Sequence, residues 1–173
     1  MLSPREYLSY SQLILFEKSP EEYRDVYFRG KKKPTSRYMA FGSKMADGLE
    51  TGEATGDPVL DAMMSRIPKF ELMDKEVRAE MKDGKEKIIL LAKPDTSKKD
   101  YSAFKEYKTS TMKWTQKMAD ESDQITFYAA VMWLLTGKIP KDIELVAIGT
   151  EIAPDGSVVA NGDMDIFRTK IVS

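Results

Sequence analysis

Residues 86–109 read EKIILLAKPDTSKKDYSAFKEYKT, and they carry the strongest indications of both fold and chemistry. The apolar run IILLA follows turn-forming residues and predicts the second strand of a β-hairpin. Residues 101–108 follow a polar turn and predict a further strand. Because side chains alternate along a strand, Glu106 and Lys108 are predicted on the same face. If the IILLA strand and the strand at 101–108 pair as a hairpin, Asp95, at the end of the first of these two strands, lies beside Glu106.

Asp95 and Glu106 together predict a site for a hard divalent cation. Two neighbouring carboxylates repel each other unless a cation lies between them, and oxygen ligands of this kind suit Mg²⁺ or Mn²⁺. The backbone carbonyl of Tyr107 is a candidate third ligand. Lys108 can orient an attacking water or neutralise charge that develops on phosphorus. The alternative is that Glu106 and Lys108 are solvated charges on one strand face.

The composition narrows the chemistry further. The chain has 173 residues with no Cys and no His. These absences exclude disulfides, thiolate-held iron–sulfur clusters, zinc sites of the usual His/Cys type and imidazole bases. Lys and Arg number 27 and Asp and Glu 28, which argues against binding nucleic acid through bulk positive charge. Catalysis would therefore rest on carboxylates, lysines, hydroxyls and hard metals.

The rest of the pattern predicts one mixed α/β domain spanning residues 1–173. Helices are expected after Ser9 or Ser11, from Ser19-Pro20, and over 37–50, 59–66 and 122–135. The last of these is apolar on most sides, so we expect it to be buried with Trp133 in the core. Strands are expected over 70–81, 88–92, 101–108, 143–152 and 165–172.

Two further expectations concern mobility and location. Residues 51–58 are polar and rich in helix breakers, which predicts a mobile loop. The longest apolar run, residues 127–135, is far shorter than the ~20 residues of a membrane span. The N-terminal stretch lacks the apolar segment of a secretory signal. We therefore expect no membrane association and a cytoplasmic location.

These motifs resemble the PD-(D/E)XK nuclease superfamily, and more narrowly its RecB-type exonuclease branch. The resemblance extends over nearly the whole chain, and its core motif corresponds to Pro94-Asp95 and Glu106-Tyr107-Lys108-Thr109, close to the usual Asp-Tyr-Lys-Thr of the branch. The other matching motifs are Ser9-Tyr10-Ser11, Ser19-Pro20, Phe41-Gly42-Ser43 with Glu50 at the end of its helix, and Gln124 with Tyr128.

The resemblance implies a restriction-endonuclease-like core, in which a central mixed β-sheet is flanked by helices in αβββαβ order. It also implies a deoxyribonuclease dependent on Mg²⁺ or Mn²⁺. Such an enzyme is expected to be an exonuclease that acts on DNA ends or single strands in recombination, repair or phage replication. Its expected partner is a recombination or replication protein. Asp95, Glu106 and Lys108 would be catalytic, and Gln124 and Tyr128, four residues apart on one helix face, would lie near the metal and the DNA backbone.

Departures from the family pattern favour an alternative function. Ala46 occupies the position where the branch often has a metal-binding His, and Asp47 and Glu50 are candidate substitutes on the same helix. The missing cysteines exclude the iron–sulfur members. The alternative is a weakened or inactive relative that serves as a nucleic-acid or protein-binding module. Lys113 is a further candidate for contact with a DNA phosphate, and the competing interpretation is a solvated lysine. Trp114 is a candidate for stacking on a base, and the competing interpretation is ordinary packing.

Overall fold

A computed structural model describes residues 6–171 of the chain. Helices and strands alternate along this range. The helices are α1 (Tyr10–Lys18), α2 (Pro20–Tyr27), α3 (Arg37–Thr51), α4 (Pro58–Met64), α5 (Gln116–Asp120) and α6 (Asp123–Thr136). The strands are β1 (Leu8–Ser9), β2 (Leu72–Met73), β3 (Val77–Asp83), β4 (Glu86–Ala92), β5 (Thr96–Ser97), β6 (Ala103–Ser110), β7 (Asp142–Ile152) and β8 (Val158–Thr169).

The strands form two mixed sheets flanked by helices, which confirms the α/β class. The smaller sheet has the order β1-β4-β3, with β1 parallel and β3 antiparallel to β4. The larger sheet has the order β2-β5-β6-β7-β8, in which β6 and β7 run parallel and the other neighbours antiparallel. A parallel pair needs a long crossover connection, and α5 and α6 lie in the one between β6 and β7.

The chain divides into two compact units, each built from three separate segments. The first unit contains residues 6–34, 76–93 and 123–139, and the second contains residues 35–75, 94–122 and 140–171. The smaller sheet belongs to the first unit and the larger sheet to the second. The expectation of a single domain over residues 1–173 stays a prediction.

In the first unit, the sequence-predicted helix starts are confirmed. The Ser9 backbone N–H donates to Gln12 Oε1 (2.7 Å), and Ser19 Oγ accepts from the Glu22 N–H (3.2 Å) ahead of α2. Helix α6 packs against β3 and β4. The expectation that Trp133 is in the core is wrong, because this side chain is 48% exposed. None of the helices in residues 6–171 combines the length and the apolar character that a membrane span requires.

The core of the second unit lies between α3, α4 and one face of the larger sheet. Ten buried residues form it: Phe41, Met45, Leu49, Leu60, Met63, Ile67, Tyr107, Val146, Ile148 and Ala160. Asp57 joins the helices to the sheet, since Oδ1 accepts the N–H groups of Val59 and Leu60 (both 3.0 Å) and Oδ2 accepts the Ala160 N–H (2.8 Å). These bonds anchor one end of segment 51–58, whose mobility stays a prediction.

The strand expected over 88–92 does not pair with the strand expected over 101–108, the condition on which Asp95 is expected beside Glu106. The hairpin of β3 with β4 does form, but in the part of the chain that the structure describes β4 pairs with β3 and β1. Pro94 has no N–H to donate to a ladder, and it interrupts the strand. The chain resumes extended pairing at Thr96, where β5 is antiparallel to β6.

Two other boundaries differ from the sequence prediction. Strand β8 begins at Val158 rather than residue 165, and Asn161-Gly162-Asp163, whose residue types favour turns, forms a bulge opposite Gly149 within it. Val172, at the end of the predicted strand, lies outside the described residues. Helix α5 was not predicted, since five residues are too few to show a helical apolar repeat.

Candidate functional site

Asp95 lies beside Glu106, although not through the hairpin that the sequence predicts. Strand β5 pairs Thr96 with Lys105, so one step along the same antiparallel register places Asp95 opposite Glu106. Asp95 Oδ2 accepts a hydrogen bond from the Tyr107 backbone N–H at 2.6 Å. The carboxylate is therefore held against the middle of β6 by a main-chain donor.

Glu106 and Lys108 point to the same face of β6, as predicted from strand alternation. Lys108 Nζ donates to Glu106 Oε1 at 3.0 Å. The Glu106 side chain is only 6% exposed, whereas the Lys108 side chain is 26% exposed. The carboxylate is thus buried under a lysine whose ammonium reaches toward solvent.

The environment of Glu106 opposes its negative charge. Burial, and next the charge of Asp95, raise the pKa of Glu106 to about 8, and the opposing effect of Lys108 does not outweigh them. Burial also raises the pKa of Tyr107, but its hydroxyl donates to the Pro68 carbonyl at 2.8 Å within the core and has a packing role. A second positive charge near Glu106 would allow the carboxylate to ionise at neutral pH.

The candidate residues of α3 lie on the other side of β6. A Cβ at Gly42 would meet Thr109 Oγ1 at 3.6 Å, and Thr109 is on the strand face opposite Glu106. Ala46 is half-buried, while Asp47 and Glu50 are exposed. Within residues 6–171, no three acidic, His or Cys side chains form a group that could hold a metal ion. The assignment of Asp47 and Glu50 as ligands stays a prediction.

Gln124 and Tyr128 line a cleft of about 290 Å³ in the first unit. Gln124 Nε2 donates to Tyr128 Oη at 3.0 Å, which confirms that the two residues share one face of α6. The motif Ser9-Tyr10-Ser11 and the side chain of Lys93 line the same cleft, together with Tyr7, Glu76 and Leu91. Two motifs that are far apart in sequence therefore meet in one concave surface.

Lys113 and Trp114 line a cavity of about 230 Å³ in the second unit, just beyond the end of β6. Asp163 and Asp165 of β8 lie in the same lining, and the sequence prediction did not single them out. The sequence feature that could have drawn attention to them is Asn161-Gly162-Asp163, a run of turn-forming residues inside a strand.

Comparison with known proteins gives a distant structural likeness. No family model matches the chain, and no curated protein sequence matches it. The chain is similar to the solved structure described as "Crystal structure of SSO0001", with a TM-score of 0.43 and 14% sequence identity. The matched region covers 99% of this chain and 71% of that chain.

Proposed function

We propose that the chain is a metal-dependent deoxyribonuclease of the PD-(D/E)XK type, most similar to the RecB-type exonucleases. The observation that carries this proposal is the geometry at β6. Asp95 is held opposite a buried Glu106, and Lys108 donates to Glu106 from the same strand face. The substrate would be DNA ends or single strands, handled during recombination, repair or phage replication.

The residues at β6 fit a divalent cation. Asp95 and Glu106 supply carboxylate oxygens, the ligands that Mg²⁺ and Mn²⁺ prefer, and the Tyr107 carbonyl is a further candidate. The raised pKa of Glu106 reflects a carboxylate without enough compensating positive charge, which a bound cation would supply. When bound, such an ion supplies Lewis-acid stabilisation of phosphoryl oxygens and lowers the pKa of water.

Lys108 has the role of a charge-stabilising and orienting residue in this proposal. Its ammonium is fixed 3.0 Å from Glu106 Oε1 and is partly exposed, so it can face a phosphodiester and the attacking water together. Negative charge grows on the phosphoryl oxygens in the transition state, and a fixed cation stabilises it there more than in the ground state.

The cleft of the first unit would hold the DNA backbone. Gln124 and Tyr128 offer an amide and a hydroxyl, and Lys93 offers a positive charge, all of which contact phosphates in nucleic-acid complexes. The order of elements also supports a restriction-endonuclease-like core. The supporting feature is that a helical crossover follows β6, the strand of the Glu-x-Lys motif, and that the next strand, β7, runs parallel to β6.

A second candidate function is a non-catalytic DNA- or protein-binding module. The observation in its favour is that no third acidic side chain joins Asp95 and Glu106 within residues 6–171. A carboxylate pair can bind one cation weakly without supporting turnover.

One nuclease assay separates the two functions. Linear and circular DNA are incubated with the protein in Mg²⁺, in Mn²⁺ and in EDTA, and products are resolved by size. We expect metal-dependent loss of linear DNA. Asp95→Asn should abolish this cleavage, whereas Asp142→Asn, which changes an exposed carboxylate at the start of β7, should leave it intact. DNA binding without cleavage in any metal would favour the binding module.

A further inference from the structure

The cavity beyond β6 has the size and lining of a pocket for one flat polar ring. Its volume of about 230 Å³ is below the roughly 300–1,000 Å³ of pockets that hold drug-sized ligands. Trp114 supplies an aromatic surface, Lys113 a positive charge, and Asp163 and Asp165 carboxylate acceptors.

The register of the larger sheet places this cavity next to the candidate catalytic residues. Lys108 pairs with Ala147 on β7, and Ala147 pairs with Asp165 on β8. Residues in register across a sheet share a face, and strands are about 4.8 Å apart. Asp165 is therefore about 10 Å from Lys108 along the sheet, on the face that carries Glu106.

Hydrogen bonds hold the segment that carries Trp114 at both ends. Ser110 Oγ accepts the Met112 N–H (3.0 Å) where the chain leaves β6. After the segment, Gln116 Nε2 donates to the Arg168 carbonyl (2.8 Å) on β8. On the opposite wall, Gly149 allows the bulge to approach, since a Cβ there would collide with Asn161 and Asp163.

The polar groups of this lining have unused bonding capacity. Among residues 6–171, Lys113, Trp114 and Asp165 form no hydrogen bond, ion pair or ring contact with one another or with other described side chains. The combined charge of Lys113, Asp163 and Asp165 is negative. A negative pocket with a π-surface suits a ring that donates hydrogen bonds rather than a phosphate.

We propose that this cavity binds a nucleobase that carries an exocyclic amino group, as cytosine does. Trp114 stacks on the ring, Asp165 accepts from the amino group, and Lys113 contacts the phosphate of the same strand. The inference rests on the proposed nuclease function, because it makes the cavity the seat of a base close to the scissile phosphate.

The test measures base binding without cleavage. The chain has two Trp residues, so Trp133→Phe leaves Trp114 as the sole indole reporter. Its fluorescence is titrated in EDTA with octamers of deoxycytidine and of deoxyuridine, whose bases differ in the amino group. We expect quenching by both and about tenfold tighter binding of the cytidine octamer. Asp165→Leu should abolish this preference. The matched control is Asp142→Leu, at the exposed start of β7 and away from the cavity, which should bind with the same preference as the protein without this substitution.

Separate outcomes overturn the pocket and the nuclease function. Absence of quenching, equal affinities for the two octamers, or a preference that persists in Asp165→Leu overturns the base pocket. Cleavage is measured on the same proteins with Mn²⁺. Cleavage without the binding preference refutes the pocket alone, whereas the preference without any metal-dependent cleavage supports the pocket and refutes the nuclease.

Discussion

Glu106 and Glu144 are two buried glutamates on neighbouring strands with opposite electrostatic surroundings. Burial and the charge of Asp95 raise the pKa of Glu106 to about 8. Burial alone would also raise the pKa of Glu144, but ion pairs with Lys105 and Arg168 outweigh it and hold that pKa below its usual value. The first carboxylate is suited to binding a cation, and the second already has its cations.

This contrast predicts opposite pH effects on stability. Between the usual carboxyl pKa and about 8, the folded protein keeps a proton on Glu106 that the unfolded chain has lost. The free energy of unfolding should therefore fall as pH rises through this window. Glu106→Gln removes that decline, so its stability relative to wild type should improve by at least about 1 kcal/mol between pH 5.5 and pH 8.5. Urea unfolding in EDTA at both pH values measures it.

Glu144→Gln is the matched control for this prediction. A lowered pKa gives stability that is present above the usual carboxyl pKa and is lost only as pH falls through the folded value. The variant should thus be less stable than wild type by a similar amount at both pH values. A Glu106→Gln profile parallel to that of wild type would contradict the raised pKa.

Lys108 provides a second prediction at the residue scale. If its ammonium stabilises the transition state, Lys108→Met should lower single-turnover cleavage by about 100-fold while DNA affinity stays near that of wild type. The exposed Lys99→Met should leave both unchanged. Weaker binding with a salt dependence reduced by about one ion would instead identify Lys108 as a phosphate anchor.

The sequence allows these residue-scale geometries to be predicted wherever a period fixes them. Alternation along a strand places Glu106 with Lys108, and helical spacing places Gln124 with Tyr128. Asp165 follows no such rule, because its position near Lys108 depends on the pairing of β8 with β7 and of β7 with β6. The period of a strand gives the relative faces of its own residues, but it does not tell which strands lie beside it.

At the scale of the element, α3 carries two glycines in different surroundings. A Cβ at Gly42 would meet only Thr109 Oγ1 at 3.6 Å, an ordinary contact. A Cβ at Gly48 would lie 2.7 Å from Met64 Cε and from Thr55 Cγ2. A side chain at position 48 would therefore require the side chains of Met64 and Thr55 to shift.

This difference predicts opposite effects of the same substitution on one helix. Gly42→Ala should stabilise the protein by about 0.5–1 kcal/mol, because alanine loses less backbone entropy in a helix. Gly48→Ala gains the same backbone entropy term, but overpacking should outweigh it, so that the free energy of unfolding falls by about 1–2 kcal/mol. Thermal unfolding of the two variants checks this, and equal shifts would mean that α4 is not packed against Gly48.

Most elements could be predicted because their ends have local causes. Ser19 and Pro20 begin α2, and the apolar repeat of α3 marks the face that packs on the sheet. The break between β4 and β5 has a local cause too, in Pro94, but which strand each half pairs with depends on distant residues. The local hairpin of β3 with β4 could therefore be predicted, whereas the pairing of the strand after Pro94 could not.

At the scale of the whole molecule, a bound cation should stabilise the folded state. The motivation is the repulsion between Asp95 and Glu106. Mn²⁺ at about 100 times its Kd would add about 2.7 kcal/mol to the free energy of unfolding and raise the Tm by several degrees. Glu106→Gln should largely lose this shift. An unchanged Tm together with no heat of Mn²⁺ binding in calorimetry would refute the metal site.

The division into two sheets is the feature of the whole molecule that the sequence could not reveal. The order of helices and strands follows from local patterns, and it is compatible with one continuous sheet. Pairing β4 with β1 and β3, and β5 with β6, assigns successive parts of one extended stretch to different units. Only contacts between residues far apart in sequence determine that choice.

The interleaving of the two units has a consequence for synthesis on the ribosome. Strand β6, with its mostly buried side chains, leaves the exit tunnel before β7 and β8 emerge from it. Until residues 142–169 emerge, the nascent chain presents β6 with an unpaired edge, which can recruit another strand and aggregate. Slow translation of the segment that contains β7 and β8 should therefore lower the yield of native protein, and a chaperone that shields extended segments should restore it.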